Sequence, residues 1–350
     1  MKNIFSGLLL IGLLLFVFDQ FANAQDEKQY EVACVAFYNL ENLFDTIDDP
    51  KTKDDEFTPG DVKNWNGKRY NHKLDHMAEV ISQLGTELTP DGPAIVGVCE
   101  LENKAVLQDL INREPLKKGN YQIVHYESPY YRGMDVALLY QSKYFKLTNS
   151  KSYTLSLPDD PNFNTRDQLL VSGKLNGEMI HFIVNHWPSR RGGEKRSRPK
   201  RIAAAKLCRS IADSVLALDK NAKIIIMGDL NDDPTDPSVK KYIKTTASKD
   251  KLSDGTFFNP TEILFKNGIG SLAYRDNWNL FDQIILSPAL VGSDMTTFKY
   301  HKAVIFNKSF LTQKDGRYKG YPMRTYSGGA YTGGYSDHFP SFIYLIREVK

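Results

Sequence analysis

Cysteine is scarce in this chain, with three residues in 350, Cys34, Cys99 and Cys208. They are too few and too scattered for a disulfide framework. Cys34 and Cys99 lie in apolar, strand-like runs, which points to buried free thiols and leaves a single disulfide open. An excess of one charge is also missing: 45 basic residues face 42 acidic ones, for a formal net charge of +3. That balance does not by itself announce a polyanionic partner, so local clusters have to decide. Beyond the N-terminus no apolar run is long enough to span a bilayer. Neither an internal repeat nor a low-complexity linker interrupts the patterning from about Val32 to the C-terminus, so one domain over residues 25–350 is the expectation.

What the N-terminus does have is a leader pattern. Lys2 precedes an apolar run from Leu8 to Phe18, and Ala22, Asn23 and Ala24 form a small-x-small cleavage pattern. The run is well short of the ~20 residues a membrane helix needs. A secretory signal removed after Ala24 is therefore expected, and with it export to the periplasm or the medium as a soluble chain, read here as a monomer.

Short strand-like runs recur at Val32–Phe37, Ala94–Val98, Gln122–Tyr126, Val136–Tyr140, Leu169–Leu175, His181–Val184, Lys223–Met227, Gln283–Leu286 and Ser341–Leu345. Two helices are patterned among them. Lys68–Leu84 spaces Leu74, Met77, Ala78, Ile81 and Leu84 by three and four, with Gly85 as a stop; Pro199–Leu218 repeats the spacing, with proline at its first position. Strands in excess with helices to cover them predict a layered α/β fold. Residues 45–60 read as an acidic loop and residues 315–335 as a loop rich in glycine and tyrosine.

Several apolar runs end alike. "AFYNLEN", "IVGVCELEN", "FIVNHWPS" and "IIMGDLND" place Asn39, Glu41, Glu100, Asn185, His186, Asp229 and Asn231 within a few positions of the last core residue, and "SDHFPSF" sets Asp337 and His338 just before a strand. Any one of these is an ordinary turn or loop. Brought to one sheet edge, they would make a pocket of carboxylates, amides and imidazoles. Such oxygen donors match magnesium, manganese or calcium rather than structural zinc. A cation so held polarises a phosphoryl oxygen, and an imidazole beside it moves protons near neutral pH.

In order, the motifs "FYNLEN", "VCELEN", "RGMDVALLY", "NTRDQLLVSG", "FIVNHWPS", "MGDLND", "LFDQIILS" and "SDHFPSF" resemble those of the endonuclease/exonuclease/phosphatase superfamily, across about Val32–Leu345. The resemblance implies a deoxyribonuclease-like four-layer α/β/β/α sandwich of two packed mixed sheets. It also implies roles. Glu100 would be the principal metal ligand and Glu41 a second, with Asn39 beside it and Asp337 near the metal. Asp229 would act on the attacking water, and Asn231 would hold a phosphate oxygen. His338 would contact the scissile phosphate with Asp282 orienting its ring; the family is divided over whether Asp229 or His338 is the base. His186 matches a second histidine that abasic-site enzymes lack, with Asp135 as the acid expected to orient it. Arg166 is placed like the family's phosphate-binding arginine, whose guanidinium donates two parallel hydrogen bonds. Mg2+ is the implied cofactor, with Mn2+ and Ca2+ as alternatives.

The substrate is less sharply marked. Arg190, Arg191, Lys195, Arg196, Arg198, Lys200 and Arg201 crowd the stretch behind His186, and Arg324 sits among tyrosines in the later loop. Such a run is either a solvated face or a set of phosphate contacts. Tyr318, Tyr321, Tyr326, Tyr331 and Tyr335 either stack on rings or pack the loop. The expectation is an exported metal-dependent phosphodiesterase acting on DNA or RNA. The alternatives are a phosphatase or phosphodiesterase for a small phosphorylated sugar, inositol or lipid headgroup, and a non-catalytic polyanion binder.

Overall fold

In the first strand, β1 (Tyr30–Leu43), Cys34, Ala36, Tyr38 and Leu40 face one way and Ala33, Val35 and Phe37 the other. That is the period-two alternation of a pleated strand. Both sets are buried, so both faces of its sheet must be covered. The computed structural model describes residues 28–349, and the leader expected at residues 1–24 lies outside them.

The chain continues through α1 (Gly67–Gln83), β2 (Ile95–Leu101), α2 (Lys104–Ile111), the single turn α3 (Glu114–Lys117), β3 (Tyr121–His125), β4 (Asp135–Gln141), β5 (Phe145–Tyr153), β6 (Gln168–Leu175) and β7 (Glu178–His186). Then come α4 (Glu194–Leu218), β8 (Lys223–Asp229), the two-residue strands β9 (Thr245–Thr246) and β10 (Phe257–Phe258), and α5 (Thr261–Lys266). A small hairpin, β11 (Leu272–Tyr274) and β12 (Asn277–Asn279), leads to β13 (Asp282–Leu286) and β14 (Lys299–Ile305). A second, β15 (Tyr326–Ser327) and β16 (Ala330–Tyr331), precedes β17 (Ser341–Glu348).

One sheet has the order β14-β17-β1-β2-β4-β3, and the other β5-β6-β7-β8-β13-β10-β9. Their facing sides share one core, in which Val35, Phe37 and Val136 meet Phe182, Ile225 and Met227. The outer face of the first sheet is covered by α1 and α2 through Leu74, Met77, Ile81 and Leu107, and that of the second by α4 through Ala205, Cys208 and Ile211. These are the four layers expected. The three cysteines are free and buried. Cys34 faces the helical layer and Cys99 the space between the sheets, so the disulfide left open by the sequence is not made.

Helix α1 begins where Asn66 accepts hydrogen bonds from the Lys68 and Arg69 amides, an N-cap that the apolar spacing alone does not reveal. Helix α4 corrects an expectation. It starts at Glu194, with Pro199 inside it rather than at its first position. The added turn is held by Ser197 donating to the Gly193 carbonyl at 2.8 Å and by Arg198 bonded twice to Glu194 at 2.8 and 2.9 Å. These contacts offset the one helical bond that proline cannot make. The sequence reading also passed over β5 and β14, which lie at sheet edges and carry polar, half-exposed residues without clean alternation.

Topology places the site. β1 and β2 are parallel, as are β7 and β8, and each pair is joined by a helical crossover. The strands flanking them, β4, β6, β13 and β17, run antiparallel. C-terminal ends of the parallel pairs and N-terminal ends of the antiparallel strands therefore share one edge.

Candidate active site

The backbone at this edge is bent out of regular pairing. Register shifts between Asn39 and Leu43 in β1, and between Cys99 and Leu101 in β2, mark bulges. Glu41, Asn42, Glu100 and Asn231 have φ of 47°, 55°, 58° and 50°. Non-glycine residues in this region cost about 1–3 kcal/mol each and persist where surrounding structure imposes them. Gly228 has a different reason. A Cβ there would lie 2.3 Å from the Asn185 carbonyl oxygen, so only glycine lets β8 approach the end of β7 this closely.

The side chains converge as the sequence motifs imply. Asn39 donates its amide to Glu100 Oε1 at 3.2 Å and to Asp229 Oδ2 at 3.0 Å, bridging the carboxylates of two sheets. Glu100 Oε2 accepts the Asn42 amide at 3.1 Å, and Asp229 Oδ1 the Asn231 amide at 2.9 Å. His186 Nε2 lies 3.8 Å from Glu100 Oε1 and 3.6 Å from Asp229 Oδ2. His338 Nε2 lies 4.0 Å from the same Asp229 Oδ2, and its Nδ1 is 2.6 Å from Asp282 Oδ2.

Electrostatics separates the two histidines. Burial pulls the His338 imidazolium down, but Asp282, Asp337 and Asp229 outweigh it and hold its pKa well above the usual value. Burial, with Arg166 and His338 adding to it, drives His186 well below that value. Asp229 is pushed up to about 7 by burial, with Asp282 and Glu100 raising it further against His338.

Other expected residues are placed differently. Asp135 does not orient His186: its Oδ2 pairs with His125 Nε2 at 2.9 Å and its Oδ1 accepts the Ser128 amide at 2.9 Å. His186 Nδ1 has no hydrogen-bond partner among the described residues. Glu41 shares the edge, but its Oε2 accepts from the Thr325 amide and hydroxyl at 2.7 and 2.8 Å and faces Lys73 at 3.7 Å, so it is not gathered with Glu100 and Asp229. Asp337 Oδ1 is 3.9 Å from His338 Nε2, while its Oδ2 accepts from Arg324 at 2.9 Å. Arg190 is not free for substrate, because Asp232, Asp233 and Asp236 surround its guanidinium at 3.3, 3.3 and 2.7 Å. Arg191 is exposed, and among the described residues its hydrogen-bond partner is the Tyr131 hydroxyl at 3.4 Å. Arg166 is buried over the Tyr130 ring at 4.9 Å, donates to the Trp187 carbonyl at 2.5 Å and leaves Nε unpartnered. Asn231 donates its amide to that same carbonyl at 3.0 Å.

Sequence reasoning missed the supports. Ser336 donates to the Asn39 carbonyl at 2.8 Å and accepts the His338 amide at 3.1 Å, tying the first and last motifs together. Its place directly before Asp337 and His338 was the available signal. Ser271 donates to Asp282 from the small hairpin, and nothing in the sequence announces it.

Glu100, His186 and Asp229 each offer a ligand atom, all within 4.8 Å of one another. Two carboxylates held in place by amide donors, beside one neutral imidazole, make an oxygen-rich set that fits a hard divalent cation. The set Asp229, Asp282 and His338 is equally compact, but Asp282 and His338 are already bonded to each other.

The Endonuclease/Exonuclease/phosphatase family matches residues 34–347. Among solved structures, TDP2 of D. rerio complexed with single-strand DNA product aligns with TM-score 0.54 at 15% identity, covering 90% of this chain and 99% of that one. A family protein of Bacteroides thetaiotaomicron aligns with TM-score 0.54 at 16%, covering 92% and 100%. The mannosyl-6-phosphatase of the same organism aligns with TM-score 0.52 at 18%, covering 89% and 99%. No curated protein sequence matches the chain. At such identities the structural likeness shows the deoxyribonuclease-like fold, and the family match spans nearly all the described residues. A carboxylate pair, two histidines of opposite electrostatic bias and that match together lead to one conclusion: the chain belongs to the endonuclease/exonuclease/phosphatase family of metal-dependent phosphoester hydrolases.

Proposed function

We propose that the protein is an exported, single-domain, monomeric, Mg2+-dependent phosphodiesterase acting on nucleic acid. The observation that carries this reading is a pair of distinct grooves, one lined by Arg166 and Pro188 and the other by Asp337. One, of about 670 Å3, runs from Arg166 and Pro188 beside His186 past Tyr131, Arg191 and Arg196. The other, of about 360 Å3, begins at Asp337 beside His338 and includes Arg324 and Arg317. A phosphate monoester carries one substituent and needs one groove; a diester carries two, leaving in different directions. Arg191 and Arg196 in the first groove, and Arg317, only loosely paired with Asp276 at 3.9 Å, in the second, suit further phosphates.

In this reading Asp229 takes the proton of the attacking water, its carboxylate aimed by the Asn231 amide. His338, kept cationic by Asp282, meets a phosphate oxygen opposite. Arg166 reaches the same phosphate from the first groove. A divalent ion held by Glu100, with the Asn39 amide beside it, would polarise the phosphoryl oxygen and offset charge on the departing one.

A phosphorylated sugar is the second reading, favoured by the likeness to a mannosyl-6-phosphatase. Hydrolysis of bis(p-nitrophenyl) phosphate with Mg2+, Mn2+ or Ca2+, and its loss in chelator, separates enzyme from binder. Plasmid DNA, RNA, a phosphoinositide panel and sugar phosphates then separate the substrates; turnover of monoesters alone overturns the nuclease reading. Glu100→Gln is expected to remove metal-stimulated turnover with the thermal midpoint kept, and retained activity contradicts its assignment as ligand. Export is tested by the N-terminal sequence of the mature protein, expected to begin at Gln25.

A further inference from the structure

Five tyrosines of residues 315–335 had two readings, and their surroundings divide them. Tyr326 packs against Trp65, with ring centroids 6.1 Å apart, and donates to the Lys63 carbonyl at 2.9 Å. The Tyr331 hydroxyl meets His72 Nδ1 at 2.8 Å, and Tyr335 stacks on His76 with centroids 4.2 Å apart. These three hold the loop against α1 and the segment leading into it. Tyr318 and Tyr321 do not; they line the groove beside Asp337 together with Tyr274 from the small hairpin.

The rings form a connected surface. Tyr318 lies 5.6 Å from Tyr321, Tyr321 lies 5.7 Å from Trp278, and Trp278 stacks on Phe339 at 6.0 Å and 17°. Phe339 directly follows His338, so this surface is anchored to the catalytic segment itself. Tyr274 and Tyr318 remain 60% and 49% exposed, although large aromatic rings bury readily. Arg275 and Arg317 stand against them at 5.2 and 5.7 Å, placing cations at the rim. Ala273 and Pro322 are the apolar non-aromatic residues of the lining, which leaves no wall suited to an acyl chain.

We infer that this groove is a stacking subsite for an unpaired nucleobase adjoining the scissile phosphate, so that the preferred substrate is single-stranded. The proposal rests on the phosphodiesterase reading above and adds the base to it. Flat rings stack on any base with little regard to its identity, and rim arginines add to that attraction.

The test is fluorescence anisotropy of the full-length protein, in chelator to prevent cleavage, with a labelled ten-residue oligothymidylate and an abasic decamer of equal charge. The wild type is expected to bind the thymidylate roughly tenfold more tightly than the abasic strand, within the range one stacked base contributes. Tyr274→Ala and Tyr318→Ala, both exposed, should each remove most of that difference with abasic binding and thermal midpoint unchanged. Equal affinity of the wild type for the two strands, or variants that keep the full preference, overturns the subsite. If neither strand binds or is cut with Mg2+ while bis(p-nitrophenyl) phosphate is hydrolysed, the nucleic-acid reading falls as well. If both strands are cut and the preference is absent, only the subsite falls.

Discussion

His338 has Asp282 on its Nδ1 side at 2.6 Å and Asp229 and Asp337 on its Nε2 side at 4.0 and 3.9 Å. Its raised pKa means that the imidazolium persists above pH 6.5 and is lost only as pH climbs through the raised value. Asp282→Asn keeps the size and one hydrogen bond but removes the charge of greatest effect. The cation is then lost at lower pH. The alkaline limb of the kcat profile is expected to move down, with kcat reduced by roughly 10²-fold and KM little changed. A profile superimposable on the wild type would show that Asp282 only positions the ring. Asp282 and His338 were both legible in the sequence, because each stands beside an apolar strand in a recognisable motif. Ser271, which also bonds Asp282, was not, since a serine in a short hairpin has no distinguishing pattern.

At the scale of elements, the basic stretch from Arg190 to Arg201 is one run in sequence and two populations in space. Arg190 and Arg191 precede α4, and within it successive residues point about 100° apart, so Arg196 and Arg201 meet different environments. Arg201 is fully buried, bonded to Asp232 at 2.6 Å, and Arg190 shares the same acidic turn. Arg191 and Arg196 face the groove beside Arg166. Arg201→Ala leaves buried Asp232 with only the looser Arg190 contact at 3.3 Å and the Ser238 hydroxyl, and is expected to cost about 3 kcal/mol in urea unfolding. Arg191→Ala with Arg196→Ala should change stability by less than about 0.5 kcal/mol. The double variant should instead flatten the salt dependence of oligonucleotide binding. Unchanged salt dependence would make those two arginines a solvated face.

At the scale of the whole molecule, a polar network joins the two sheets away from the site. Arg347 on β17 donates to Glu178 on β7 at 2.9 Å and to Glu31 on β1 at 2.6 Å, while Lys223 on β8 also pairs with Glu178. Burial raises the Glu178 carboxyl, but the bonds from Lys223, Arg347 and the Phe298 amide prevail and hold it below the usual range. A depressed carboxylate stabilises the fold above its unfolded pKa, and that contribution is lost as pH falls through the folded value. Glu178→Gln is therefore expected to be less stable than wild type at pH 7, with the gap closing below about pH 4.5, near the ordinary carboxylate pKa. Chemical denaturation across that range checks it; a gap independent of pH would mean that packing rather than charge is lost.

The sequence by itself determined the layered α/β class, most of the core strands and the residues at their ends. Period-two burial, helical spacing and turn chemistry are local, so they survive in a one-dimensional string. Polar edge strands such as β5 did not, because a strand with a neighbour on one side only keeps half-exposed polar residues and loses the alternation. Only the tertiary structure decided that Asp135 serves His125, that Glu41 braces Thr325 and Lys73, and that Tyr274 joins Tyr318 beside Asp337. Each of these is a choice among partners from ten to almost three hundred residues away, made by the register of strands and the direction of a side chain. Neither quantity exists until the sheets have formed.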